Sequence, residues 1–224
     1  MKHSVLSITL LISPSWLSAS EAKIRDGEYL SEKYIAAVTA TKSARKAFKL
    51  GDLPMYIVRT EGVNKVFSLV TNFHEGAAEF ALKPNGEVFV SPGSGYESSG
   101  KPELKIVDAE HLVTTWPGSA PSRYRYVDSA EKWVTNQMLK GTYRDKNGRT
   151  VAFYRDGRTN LFGKEVSCSM GLDFVREEAV DYMMCGEVSY GVRIEEGTLA
   201  LFRSEPARFS YAAKPFFIGR RVSS

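Results

Sequence analysis

Short segments in which apolar and polar residues alternate recur along most of the chain. Such alternation is the pattern of a half-buried β-strand, because successive side chains point to opposite faces of a sheet. Turn sequences separate the segments, and the Asn-Gly pairs at Asn85-Gly86 and Asn147-Gly148 favour tight hairpins. The predicted strands are residues 55–60, 65–73, 77–82, 87–91, 103–107, 111–116, 141–144, 150–154, 159–162, 166–175, 178–188, 191–194 and 198–203. Closely spaced hairpins predict a mainly β protein built of antiparallel meander sheets or barrels.

Helical spacing of apolar residues occurs in two places, at about 31–50 and at about 128–139. Ser31 is the predicted N-cap of the first helical segment, which breaks near Ser43 and resumes. Asp128 and Glu131 have the spacing of a capping box for the second segment. Short helices are therefore expected beside the sheets.

The order of these elements divides the chain into two similar modules. Each half has a Gly-x-Tyr entry, at Gly27 and at Gly141, followed by strands with Gly-containing turns. The Pro- and Ser-rich segment 117–122 is the best candidate for a boundary. We predict an N-terminal strand-rich module at 20–120 and a C-terminal one at 121–224. Residue identity between the halves is not clear, so duplication stays an open interpretation.

Residues 1–19 have the three-part pattern of a cleavable signal peptide. A Lys near the start precedes an apolar run from Val5 to Ile12, and small residues lead to Ala19. An uncut N-terminal anchor is the alternative, although the run is shorter than the about 20 apolar residues of a membrane span. No later stretch has the length or apolarity to cross a membrane. The protein is expected to be exported, to a periplasm or to the exterior, with no transmembrane segment after cleavage.

The two cysteines, Cys168 and Cys185, are predicted to form a disulfide. An even pair in an oxidising compartment favours a bridge. A two-residue turn at Arg176-Glu177 would place the two cysteines opposite each other in neighbouring antiparallel strands. The alternative is two buried free thiols that pack as small apolar groups.

The segment 139–203 resembles the lipocalin-like (calycin) β-barrels. Leu139-Lys140-Gly141-Thr142-Tyr143 opens a meander of hairpins that ends at Leu201-Phe202-Arg203. Barrels of this family begin with Gly-x-Trp and often carry a late Arg packed over that aromatic ring. The resemblance implies that Tyr143 replaces the Trp and that Arg203 is the late Arg. It also implies a cup for an apolar or amphipathic ligand.

Catalytic and metal-binding patterns are missing from the sequence. After the signal peptide the histidines are His74 and His111, and neither lies in a nucleophile motif. Asp108 and Glu110 lie near His111, but polar loop tips commonly collect such residues. No phosphate-binding glycine loop is present. We therefore expect no enzyme activity, no metal and no cofactor; a hydrolase that uses two carboxylates, such as the Glu177-Glu178 or Glu195-Glu196 doublets, is the third-ranked alternative.

The most organised charges are four cations with helical spacing, which we expect to contact an anion or a partner. The spacing predicts that they share one helical face, and the alternative is a solvated surface. These four residues are Lys42, Arg45, Lys46 and Lys49. Near the C-terminus, Lys214, Arg220 and Arg221 surround Phe216-Phe217-Ile218; they either act similarly or keep a tail in solution. The formal net charge of +4 is too small and too dispersed for a nucleic-acid-binding protein.

These observations favour a non-enzymatic exported binding protein. Its ligand would be an apolar or amphipathic small molecule held in a barrel-like module. The alternative is a protein-interaction or inhibitor module of the cell envelope that uses an exposed loop or the basic patch. A hydrophobic content of 43% supports a substantial core in either case.

Overall fold

The computed structural model describes residues 24–49, 55–70, 76–90, 100–155, 157–172, 180–205 and 210–223. The predicted signal peptide at 1–19 lies outside the described residues, as do His74 and the Glu177-Glu178 doublet. Helices and strands of the described chain are β1 Gly27–Ser31, α1 Glu32–Thr41, α2 Ala44–Lys49, β2 Met55–Glu61, β3 Asn64–Val70, β4 Gly76–Leu82, β5 Val88–Val90, β6 Glu103–Ile106, β7 His111–Thr115, β8 Ser122–Val127, α3 Ala130–Leu139, β9 Gly141–Arg144, β10 Thr150–Phe153, β11 Arg158–Leu161, β12 Lys164–Gly171, β13 Asp181–Cys185, β14 Val188–Glu195, β15 Thr198–Glu205, β16 Ser210–Tyr211 and β17 Phe217–Ser223. The predicted class, mainly β with antiparallel sheets and few short helices, is confirmed.

Strands β1 to β8 form one antiparallel sheet, which we call the first sheet. Their order is β5-β4-β3-β2-β1-β8-β7-β6, so β1 lies between β2 and β8. A meander whose first and last strands pair in this way curls toward a barrel. Strand β8 was not predicted, and it extends the first sheet to Val127, beyond the expected boundary at 120/121. The division into separate domains stays a prediction.

Strands β9 to β15 and β17 close into an eight-stranded antiparallel barrel, which we call the second barrel. Consecutive strands pair from β9 to β15, and β17 pairs with both β15 and β9. The short strand β16 extends the pairing along β15. Because β17 fills the place between β15 and β9, the segment expected to be a C-terminal tail is part of the barrel wall.

The disulfide and the register on which its prediction depended are confirmed. Cys168 of β12 lies directly opposite Cys185 of β13, and the S–S distance is 2.05 Å. The proposed turn at Arg176-Glu177 lies outside the described residues. The predicted strand 178–188 is wrong in its extent, since Gly186 and Glu187 form a turn that ends β13 and precedes β14.

Each sheet encloses its own core. Within the described chain the first sheet buries mainly aromatic rings, which pack edge-to-face or stacked. The second core is richer in aliphatic residues and methionine, and it includes the disulfide. The largest interior side chains of the first sheet are Tyr29, Tyr56, Phe67, Phe80 and Tyr124. Those of the second barrel include Tyr143, Met138, Phe217, Met170 and Met183.

The three helices belong to the core of the second barrel, although α1 and α2 are inserted between β1 and β2 of the first sheet. Tyr34 and Val38 of α1 and Val134 of α3 are buried in the same cluster as the barrel interior. Ser31 caps α1 as predicted. The capping residue of α3 is Ser129, which accepts a hydrogen bond from the backbone N–H of Lys132, so the predicted Asp128 cap is wrong by one residue.

The aromatic residue at the start of the barrel has an arginine partner, but not the expected one. Tyr143 is fully buried, and its hydroxyl accepts a hydrogen bond of 2.7 Å from Arg221. The Arg221 guanidinium lies 5.3 Å from the centre of the Tyr143 ring. Arg203 instead lies over Phe216. The expectation that Arg203 packs over Tyr143 is therefore wrong, because β17, and not β15, neighbours β9.

Candidate functional site: a basic groove on the second barrel

The four predicted contact cations do not form one exposed stripe. Lys42 ends α1 in a left-handed conformation, so the chain changes direction before α2 begins at Ala44. Its ammonium donates a hydrogen bond of 2.9 Å to the carbonyl oxygen of Gln137 in α3. Arg45 is only 6% exposed, whereas Lys46 and Lys49 are exposed. The prediction that all four share one helical face is wrong, and their role as contact residues stays a prediction.

Arg45 is buried because α2 is attached to the second barrel by Asp181. The Asp181 carboxylate, itself buried, accepts a hydrogen bond of 2.7 Å from the backbone N–H of Arg45. Burial raises the pKa of Asp181, and the hydrogen bonds from Ser43 and Arg45 only partly offset that effect. This contact fixes the corner between α1 and α2, which carries Lys42 and Lys46, against the barrel wall.

Two adjoining depressions lie on the outer face of the second barrel. One, of about 1100 Å³, lies between the α1–α2 corner and strands β14, β15 and β17. The other, of about 650 Å³, lies beside the turn between β9 and β10. Thr198, Ile218 and Arg220 line both, so we treat them as one surface, the basic groove. In the described chain its lining includes eight cationic residues, Lys42, Lys46, Arg144, Lys146, Arg149, Arg193, Arg220 and Arg221, and three acidic ones, Asp145, Glu195 and Glu196.

At the centre of the groove two arginines face each other across neighbouring strands. Arg144 of β9 is the direct partner of Arg220 of β17 in the antiparallel register. Both side chains are exposed, and neither has a hydrogen bond or ion pair within the described residues. Like charges placed directly opposite on a sheet destabilise it by roughly 0.2–1 kcal/mol. The fold thus keeps an unfavourable juxtaposition that an anion between the two guanidinium groups would relieve.

The acidic residues of the groove do not neutralise this pair. Asp145 is the ion-pair partner of Arg149, at 2.6 Å, and it also accepts backbone hydrogen bonds from Asn147 and Arg149. Partial desolvation opposes ionisation, but these donors outweigh it and hold the pKa of Asp145 below its usual value. Glu195 lies 3.8 Å from Arg193. The basic character of the surface around Arg144 and Arg220 is therefore retained at neutral pH.

An apolar strip runs beside the cations. The side chain of Ile218, two residues before Arg220 on β17, is 55% exposed, and Val222, two residues after it, is 53% exposed. Alternate residues of a strand share a face, so Ile218 and Arg220 point outward together, whereas Val222 lies in an irregularity of the pairing between Arg221 and Ser223. Pro215 and Phe216 continue the apolar lining on the other side. The groove thus offers positive charge and apolar surface together.

The polar cluster near His111 does not form a metal site in the described structure. Asp108 accepts a hydrogen bond of 2.9 Å from His111, whereas Glu110 pairs with Arg25. Among the described residues no group of three His, Cys, Asp or Glu side chains has the arrangement to hold a metal ion.

No helix in the described ranges has the length and apolarity of a membrane span.

Sequence reasoning missed the centre of the groove. Arg144 lies in a predicted strand without a role, and Arg220 is predicted either to contact an anion or a partner or to keep a tail in solution. Their opposition depends on the pairing of β9 with β17, which are distant in the chain, so no local pattern contains it. The visible signal was the mixture of cations and apolar residues from Lys214 to Arg221.

Comparisons with family models, with curated proteins and with solved structures found no match.

Proposed function

We propose that this protein is an exported, non-enzymatic binding module that holds an anionic ligand in the basic groove. The observation that carries the proposal is the direct opposition of Arg144 and Arg220 at the centre of a cationic surface. Arginine guanidinium groups donate paired hydrogen bonds to phosphate and carboxylate oxygens, and they stay charged at any physiological pH. A bound anion would turn a repulsive pair into two favourable contacts.

The packing of both cores favours the outer groove over a barrel interior as the ligand site. Tyr56 and Phe80 in the first sheet, and Met170 and Met183 in the second barrel, are fully buried at inward-facing positions. Small barrels of this size are commonly filled by their own side chains. An apolar ligand inside a barrel stays the second hypothesis. In the present proposal the ligand binds at the outer surface, which offers both cationic and apolar side chains.

Export and the lack of catalysis are parts of the same proposal. The Cys168–Cys185 disulfide and the signal-like residues 1–19 support an oxidising compartment. Most charged groups of the groove are arginine and lysine, which suit the binding of an anion. Asp145 is ionised and fully engaged by Arg149 and by backbone donors.

Calorimetric titration with inorganic pyrophosphate tests this proposal. Arg144→Gln/Arg220→Gln removes both charges while keeping polar side chains of similar length. Charge-assisted hydrogen bonds contribute roughly 1.5–3 kcal/mol each, so the double variant should bind at least about 10-fold more weakly than the native protein. Lys105→Gln/Arg125→Gln is the matched control, since it removes two exposed cations from the first sheet.

Binding by the native protein and by the control, with loss in the groove variant, is the expected result. Equal weakening in the groove variant and in the control would mean that pyrophosphate is attracted only by the net charge, and equal binding by all three proteins would place its site elsewhere. No binding by the native protein would overturn the groove as an anion site.

A further inference from the structure

The partner of the basic groove must satisfy two neighbouring surfaces of different chemistry. Arg144 and Arg220 are direct cross-strand partners with exposed side chains, and Ile218 is exposed on the same strand face as Arg220. A free inorganic anion would use the arginines and leave the apolar side chains in water. An acidic peptide surface would supply carboxylates, yet exposed aliphatic residues gain little from it.

A bilayer surface that contains anionic lipids matches both parts at once. Phosphate oxygens suit the planar, bidentate fork of an arginine side chain. Aliphatic side chains beside cations bind the boundary between headgroups and acyl chains, where apolar burial and electrostatic attraction add. The remaining cations of the groove, among them Lys42, Lys46 and Lys146, spread positive charge around this centre, as a flat anionic surface requires.

We propose that the basic groove docks on an anionic phospholipid surface, with a phosphate headgroup between Arg144 and Arg220 and with Ile218 in the interfacial layer. This inference rests on the proposed anion-binding function and names the class of its ligand. In this arrangement the groove side of the protein lies against the membrane surface. The α1–α2 corner, held by Asp181, sets the edge of the contact through Lys42 and Lys46.

Co-sedimentation with lipid vesicles tests the inference on the protein lacking residues 1–19. Vesicles of phosphatidylcholine alone are compared with phosphatidylcholine that contains about 30% phosphatidylglycerol, at low salt and at high salt. We expect binding to the anionic vesicles that falls steeply with salt, and little binding to the neutral ones. Arg144→Gln/Arg220→Gln should weaken it by about 10-fold or more, and Lys105→Gln/Arg125→Gln should bind like the native protein.

Ile218→Ser separates membrane docking from simple anion binding. The Ile218 side chain is exposed, so the variant should fold normally, and its vesicle binding should fall by a larger factor than its pyrophosphate affinity. Its binding to anionic vesicles should fall by several-fold, because the interfacial contact of the isoleucine is lost. Vesicle binding that is unchanged by Ile218→Ser would overturn the apolar part of the inference.

The outcomes distinguish failure of this inference from failure of the proposed function. Pyrophosphate binding without vesicle binding would leave the anion site standing and overturn the lipid partner. Loss of both would overturn both. Groove-dependent binding of poly-glutamate with no binding to anionic vesicles would identify an acidic protein partner instead.

Discussion

The two sheets of this protein differ in how the charged side chains on their surfaces are paired. On the first sheet, cations and anions face one another across strands: Arg59 pairs with Glu79 at 2.8 Å, and Lys65 pairs with Asp26 at 2.7 Å. On the second barrel, Arg144 of β9 lies directly opposite Arg220 of β17. Paired charges stabilise the sheet that carries them, whereas an unmatched like-charge pair stabilises it only when another molecule supplies the counter-charge.

The two cores also differ, in the kinds of side chain and contact that stabilise them. The first is built of aromatic rings joined by hydrogen bonds, such as that from the Trp116 indole to the Tyr56 hydroxyl at 3.1 Å. The second combines aliphatic packing, a disulfide and a helical cover. The first half therefore supplies a self-contained sheet together with part of the second core, and the second half carries the candidate site.

The largest expected effect concerns whether the two cores unfold together. Phe80→Ala removes a buried ring that stacks on Phe67, and it should lower the free energy of unfolding by about 3–5 kcal/mol. Leu30 and Met55 of the first sheet pack into the cluster of the second barrel, so we expect one cooperative transition. Urea unfolding monitored through Trp116 or Trp133 in single-tryptophan variants measures this. A shift seen only by Trp116 would show that the cores are independent.

Removal of the disulfide should affect the second barrel by about 3 kcal/mol. Cys168 and Cys185 are separated by 17 positions, and a cross-link of that span restricts the unfolded chain by roughly this amount. Thermal unfolding of Cys168→Ala/Cys185→Ala and of the reduced native protein should give the same lowered Tm. The double variant itself should not respond to the reductant. A native Tm unchanged by full reduction would contradict the expectation.

Asp181 makes the attachment of α2 dependent on pH. Asp181→Ala leaves the buried N–H of Arg45 without its acceptor and should cost roughly 1–3 kcal/mol. Because burial raises the pKa of Asp181 in the folded protein, the folded state binds the proton more tightly than the unfolded one. The contribution to stability is therefore greatest below about pH 4 and is lost as the pH rises through the folded-state pKa.

Asp181→Asn checks this sign, because the amide keeps an acceptor but does not titrate. Urea unfolding across the acidic range should show the native protein gaining stability over the variant as the pH falls. A difference that is constant, or that shrinks toward acid, would contradict the expected direction.

The smallest expected effect is the change in stability when one surface arginine is replaced by glutamate, and it compares the surfaces of the two sheets most directly. Arg220→Glu should stabilise the protein by roughly 0.2–1 kcal/mol, because it places opposite charges across β9 and β17. Arg59→Glu should destabilise by a similar amount, since the new carboxylate would face Glu79. Both changes should shrink at high salt. If the two substitutions have the same sign, the contrast between the surfaces is wrong.

The strands and the hairpin register could be predicted from the sequence because they depend on residues that are close together in the chain. Period-two alternation and Asn-Gly turns located most strands, and the hairpin register placed Cys168 opposite Cys185. Strand β8 was missed because its residues follow a Pro-rich segment typical of a linker. Strand β17 was missed because apolar and polar residues do not alternate in it: Phe217 and Ile218 are adjacent, and so are Arg220 and Arg221.

The site was less predictable than the fold, since it is made by pairings between distant strands. Which arginine covers Tyr143 depends on β17, not β15, lying beside β9. Arg45 has the spacing of an exposed cation but is buried, and its backbone N–H donates a hydrogen bond to Asp181, which is 136 positions away. No local pattern contains either relation.

The helical cover of the second barrel has a consequence for the order of folding. Helices α1 and α2 leave the ribosome before the first strand of the barrel on which they pack. Until β9 and β17 meet, Tyr34 and Val38 have no barrel to bury them, and loop closure over so long a span is slow. A nascent chain therefore carries an unsatisfied amphipathic surface through most of its synthesis. Chaperone binding during synthesis is expected to concentrate on this surface.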